Sequence, residues 1–146
     1  MKVVVILCAL LPLALSFKFN IPAQTRLKYE AAILPHKAKC ILESKVVADL
    51  GMNALLNMEF PEDDNFKCFL KCVGTSVGIF KDQEKKFDQQ KSMEILGIPS
   101  TIYDKCFGEI LDQNLCDVAF NTAKCVLRNI ESVGIDIGLG IGLKLK

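Results

Sequence analysis

The fold turns on the run Phe66-Lys67-Cys68-Phe69-Leu70-Lys71-Cys72. Followed onward, the segment carries Phe66, Leu70, Val73, Val77 and Phe80. Their spacings of three and four draw one apolar stripe along a helix predicted over residues 65–80. Cys68 and Cys72 stand one turn apart on a neighbouring face of that helix. An apolar stripe flanked by two cysteines marks a central helix, contacted from more than one side. Directly upstream, Pro61-Glu62-Asp63-Asp64 is an acidic turn. Asp63 or Asp64 can cap the free amides of the helix, and their charge suits its positive end.

Outward from this helix the chain reads as further short helices. Residues 24–44 carry Leu27, Ala31, Leu34, Ala38 and Ile41 at helical spacing, with Pro35 forcing a kink or a break. Residues 47–58 form a second short helix through Leu50, Ala54, Leu55 and Met58. Gly51 within it costs about 1 kcal/mol relative to alanine. Residues 81–86 are a polar turn or helix start. Helices follow over 87–96, ending at Gly97, over 100–111, and over 115–132 after a polar break at 112–114. The class is all-α, about six short helices with little strand signal. The tail differs: from Ile135 to Leu145 every odd position is Ile or Leu, and every even position is Asp, Gly or Lys. That alternation predicts an extended segment with one apolar face. Such a tail could serve as a lid over a pocket or as a contact for a membrane or partner.

Seven cysteines in 146 residues is a high, odd count. The amino terminus accounts for the oddness. Lys2 precedes an apolar run from Val3 to Leu15, and Ala14-Leu15-Ser16 offers a cleavage site after Ser16. This pattern predicts a secretory signal peptide over 1–16, since the run is shorter than the roughly 17–25 residues of a membrane span. A domain over 17–132 and the tail over 133–146 remain. Cys8 leaves with the signal peptide, and six cysteines in a secreted chain predict three disulfides. Fifteen pairings are open to six cysteines, and the sequence does not choose among them. With 18 basic against 17 acidic residues, the chain lacks the basic surplus of a nucleic-acid binder. A hydrophobic content of 51% excludes a disordered chain.

Cys40, Cys68, Cys72, Cys106, Cys116 and Cys125 are separated by 27, 3, 33, 9 and 8 residues. The x3 and x8 intervals, the 66–72 run and Leu115-Cys116-Asp117-Val118-Ala119-Phe120 together resemble the insect odorant-binding and pheromone-binding protein family. The resemblance covers the mature chain up to about Ser132. It implies interlocked pairs Cys40–Cys72, Cys68–Cys116 and Cys106–Cys125, stapling the helices around an apolar cavity. Such staples are worth about 3–4 kcal/mol each on a chain-entropy estimate. Lining positions counted from the family's cysteines fall on Ile33, Leu70, Thr75 and Ile79. Further ones fall on Phe80, Tyr103, Thr122 and Val126. The hydroxyls of Thr75, Tyr103 and Thr122 suit an alcohol, aldehyde or ester.

Catalysis finds little support. His36 is the sole histidine, so no Ser-His-Asp or Cys-His arrangement has a second candidate base, and no cofactor is implied. The Cys-x3-Cys pair lacks the partners of a zinc site in a secreted chain. His36 itself reads as a surface histidine, with a pH switch as the sharper reading. The expected function is a secreted carrier of small hydrophobic molecules such as odorants or pheromones. A non-olfactory lipid carrier or scavenger of the same fold is the alternative. A protein acting on membranes or partners through its tail is another. A chemosensory receptor or a second copy of the chain are the further partners this reading admits.

Overall fold

A computed structural model describes residues 15–111 and 114–144, with the backbone alone beyond residue 133. The signal-peptide reading lies outside the described residues up to position 14. Helices α1 (Ala23–Ile33) and α2 (Lys37–Ser44) are joined by a 3-10 turn over Leu34–His36. Pro35 sits inside that turn, where the continuous helix must break. Helix α3 (Ala48–Asn57) leads into α4 (Asp64–Ser76), and α5 (Gln89–Leu96), α6 (Ser100–Cys106) and α7 (Leu115–Lys144) follow. The Asp63 carboxylate accepts the Phe66 amide at 2.7 Å, as the acidic turn predicts.

Three disulfides tie these helices together in the interlocked order. Cys40–Cys72 joins α2 to α4, Cys68–Cys116 joins α4 to α7, and Cys106–Cys125 joins the end of α6 to α7. Helix α4 is thus tied through one face to two neighbours. Phe66, fully buried on α4, meets Phe60, Phe69 and Phe120 at centroid distances of 5.2, 6.1 and 6.4 Å. Aromatic packing of this kind adds to simple burial.

Several elements depart from the periodicity. Helix α4 stops at Ser76, short of Phe80. Gly78 takes φ +87°, the Ile79 amide donates to the Gly74 carbonyl, and the Gly78 amide donates to Thr75. This is a Schellman stop, which a glycine with positive φ makes available. Phe80 remains buried in a short strand, β3 (Phe80–Lys81), paired antiparallel with β4 (Lys86–Phe87). The polar stretch 81–86 is therefore a hairpin rather than a helix start. A second ladder pairs β1 (Ser16–Lys18) with β2 (Glu59–Pro61). Helix α6 ends at Cys106, because Phe107 turns extended and buries its ring against Phe87 and Tyr103.

The tail is helical, not extended: α7 runs unbroken to Lys144. A helix already nucleated gains one hydrogen bond for each residue it adds, whereas an extended tail would have needed a ladder partner. The lid reading concerns side chains beyond those described. Among the described residues, no helix is long and apolar enough to cross a membrane.

Apart from Ile41, which packs against the core, the stripe that marks α1 and α2 in the sequence is not their buried face. Leu27 and Leu34 are 61% and 56% exposed, and Ala31 and Ala38 are exposed with them. The buried positions are Tyr29, Ile33, Lys37 and Cys40. Lys37 is enclosed because its ammonium pairs with Glu30 and donates to the Met52 carbonyl at 2.6 Å. A buried cation requires such partners.

Two substitutions test this packing. Gly51 brings α3 against α2 so closely that an added Cβ would lie 2.6 Å from Ile41 Cγ1 and 3.1 Å from Val46. We expect Gly51→Ala to destabilise the protein in chemical denaturation by about 1–3 kcal/mol, overriding its gain in helix propensity. A neutral or stabilising effect would contradict the close approach. Lys37→Met should cost about 3–5 kcal/mol by leaving Glu30 unpaired, and Glu30→Gln added to it should recover part of the loss.

Candidate functional site: an apolar cavity walled by two helices

Fixing the cysteine-bearing face of α4 leaves its opposite face free. Leu70, Val73, Gly74 and Val77 lie on that face, and all four line a partly open cavity of about 130 Å³. That is about ten times the space one water needs. The facing wall is α7, through Ala119, Thr122, Ala123, Val126 and Leu127. These positions repeat at three and four residues, so they form one stripe. The two alanines and Gly74 put little side-chain volume into the space between the walls. A Cβ built on Gly74 meets no atom within 4 Å.

Aromatic rings form part of the cavity lining. Phe80, Phe87 and Phe107 line one part, with Phe87 at 5.5 and 4.8 Å from the other two rings. Tyr29 and Ile33 of α1 and Phe60 of β2 contribute elsewhere. The Tyr29 hydroxyl donates to the Leu96 carbonyl at 2.7 Å, so its polar tip is already used. Burial raises the pKa of that phenol and keeps it neutral. The lining is otherwise apolar apart from Thr122 and Lys71, and Lys71 also lines a neighbouring polar groove.

Of the sequence-predicted positions, Ile33, Leu70, Ile79, Phe80, Thr122 and Val126 come together on this cavity. Thr75 does not. Helical geometry turns it toward Cys68 and Cys72, where it lines a separate polar groove, and its hydroxyl donates to the Lys71 carbonyl at 2.8 Å. Tyr103 lies one layer behind, stacked on Phe107 at 4.5 Å and 15°. Phe107, not Tyr103, reaches the cavity. His36 ends the 3-10 turn, half-buried and not among the lining residues.

Sequence reasoning missed Phe60, Phe87 and Phe107. All three lie at or beyond helix ends, where a periodicity search has no purchase. A phenylalanine inside a turn-forming stretch, as in Phe60-Pro61 or Cys106-Phe107-Gly108, was the available signal.

Comparison with known proteins agrees with this architecture. Odorant-binding protein 22 of Aedes aegypti is 26% identical over 107 residues, 64% of this chain and 71% of that protein. General odorant-binding protein 99a of Drosophila melanogaster is 27% identical over 137 residues, 88% of this chain and 90% of the relative. No solved structure matches. The sequence model of the PBP/GOBP family matches residues 22–129, which span α1 through the first half of α7. With its helices, its three disulfides and this match, the chain belongs to the PBP/GOBP family.

Proposed function

We propose that the chain is a secreted carrier of small hydrophobic molecules, held in the cavity between α4 and α7. The names of its relatives point to odorants as the ligand class. One observation carries the reading: two disulfide-fixed helices face each other through Gly74, Ala119 and Ala123, leaving an apolar space inside a small protein. Protein interiors are normally close-packed, and an empty apolar cavity costs stability. A lipophilic molecule entering it removes its own apolar surface from water, worth about 25 cal/mol per Å² before the costs of binding. Binding of this kind involves no covalent step. Thr122 offers one hydroxyl to orient an oxygenated ligand. Removal of residues 1–16 on export would begin the mature chain at Phe17, within β1.

Gly74 provides the test. Gly74→Leu extends a side chain into the cavity from a Cβ position with no atom within 4 Å. We expect it to weaken binding of the fluorescent probe N-phenyl-1-naphthylamine by at least about tenfold while leaving the thermal unfolding midpoint unchanged or raised. Gly74→Ala should stabilise by up to about 1 kcal/mol through helix propensity and weaken the probe only slightly. Unchanged probe affinity in Gly74→Leu would place the ligand elsewhere.

A further inference from the structure

Among the described lining residues, Lys71 alone carries a charge. It belongs to two surfaces at once. It lines the apolar cavity, and it lines the polar groove on the other side of α4 together with Lys39, Glu43 and Asp82. Its Nζ lies 3.4 Å from Asp82 Oδ1 in the loop between β3 and β4. Lys39 and Glu43 pair with each other at 3.7 Å, so the groove holds two cations and two anions.

We propose that Lys71 anchors the head group of the ligand, and that the cavity selects amphiphiles with an apolar body and a carboxylate head. The inference rests on the carrier reading and adds the ligand class to it. A lysine carries its charge on a long flexible stem with three donors, so the same side chain can wall an apolar space and present an ammonium at its rim. The Asp82 side chain is 46% exposed. A pair this exposed is weak, and a displaced Asp82 carboxylate is readily hydrated. A ligand carboxylate emerging from an apolar wall has no comparable supply of water on its cavity side. It therefore exchanges with Asp82 on the ammonium. A charge-assisted hydrogen bond favours it over an ester or alcohol, whose neutral oxygen gains less from the same donor. Thr122 and Tyr29, the other polar lining residues, carry no charge with which to separate an acid from its ester.

The test uses the full mature protein at neutral pH and three ligands of one chain length: dodecanoic acid, methyl dodecanoate and dodecanol. Each is titrated against bound N-phenyl-1-naphthylamine. The acid is expected to displace the probe at about tenfold lower concentration than the ester. Lys71→Met keeps the stem and removes the charge. It should bring acid and ester to parity, the acid losing far more affinity than the ester, whose neutral oxygen gains less from the same donor; continued displacement of the probe by the ester shows that the cavity is intact. Asp82→Asn removes the competing carboxylate and should enlarge the acid's advantage severalfold. Equal displacement by acid and ester in the wild type overturns the proposal and leaves the carrier reading standing. An acid advantage that survives Lys71→Met overturns it as well. Failure of the wild type to bind the probe or any of the three ligands overturns the carrier reading, and this proposal with it.

Discussion

Two cysteines one turn apart on α4 set the rest of the structure. Cys72 bonds to Cys40 of α2 and Cys68 to Cys116 of α7, so one helical face is pulled toward two neighbours at once. A helix held this way cannot rotate about its axis. Its other face, with Leu70, Val73, Gly74 and Val77, must then point inward whether or not atoms are there to meet it. Where the facing residues are large, as at Phe66 with Phe60 and Phe120, the result is solid aromatic core. Further along, Gly74 faces the alanine-rich stripe of α7, and the result is space.

Cross-links and cavity are connected through stability. A cavity costs contact energy that a small helical domain can ill spare. Disulfides stabilise chiefly by restricting the unfolded chain, so their contribution does not depend on filling the interior. Two glycines, one inside α3 and one inside α4, show the contrast within one chain. At Gly51 the missing side chain lets α3 approach Ile41 of α2, and at Gly74 it leaves room. One serves packing and the other serves vacancy.

Much of this was legible before the structure. The stripe through Phe66, Leu70, Val73 and Val77 marked α4, Asp63 marked its start, and the cysteine intervals led to a family resemblance that implied the pairing found here. Other features were hidden for physical reasons. Phe80 kept the stripe in phase beyond Gly78, so the helix seemed to continue where a Schellman turn ends it. The apolar series from Leu27 to Ala38 identified a helix but not its buried side, because the buried side includes Lys37, a residue type that is seldom enclosed. Alternation over 135–145 suggested a strand, yet periodicity supplies no pairing partner, and α7 simply continued. Of the positions counted from cysteines, Ile33, Leu70, Ile79, Phe80, Thr122 and Val126 lie on the cavity. Thr75 sits on the cysteine side of α4, and Tyr103 stacks behind Phe107.

The most direct test of the account is a crystal structure of the mature protein grown with N-phenyl-1-naphthylamine. The account predicts one probe molecule between α4 and α7, in contact with Gly74 and Ala123 and bordered by Phe87 and Phe107, with the three disulfides formed. A probe seated in the groove beside Cys68 and Cys72, with α4 and α7 closed on each other through Gly74, would contradict it.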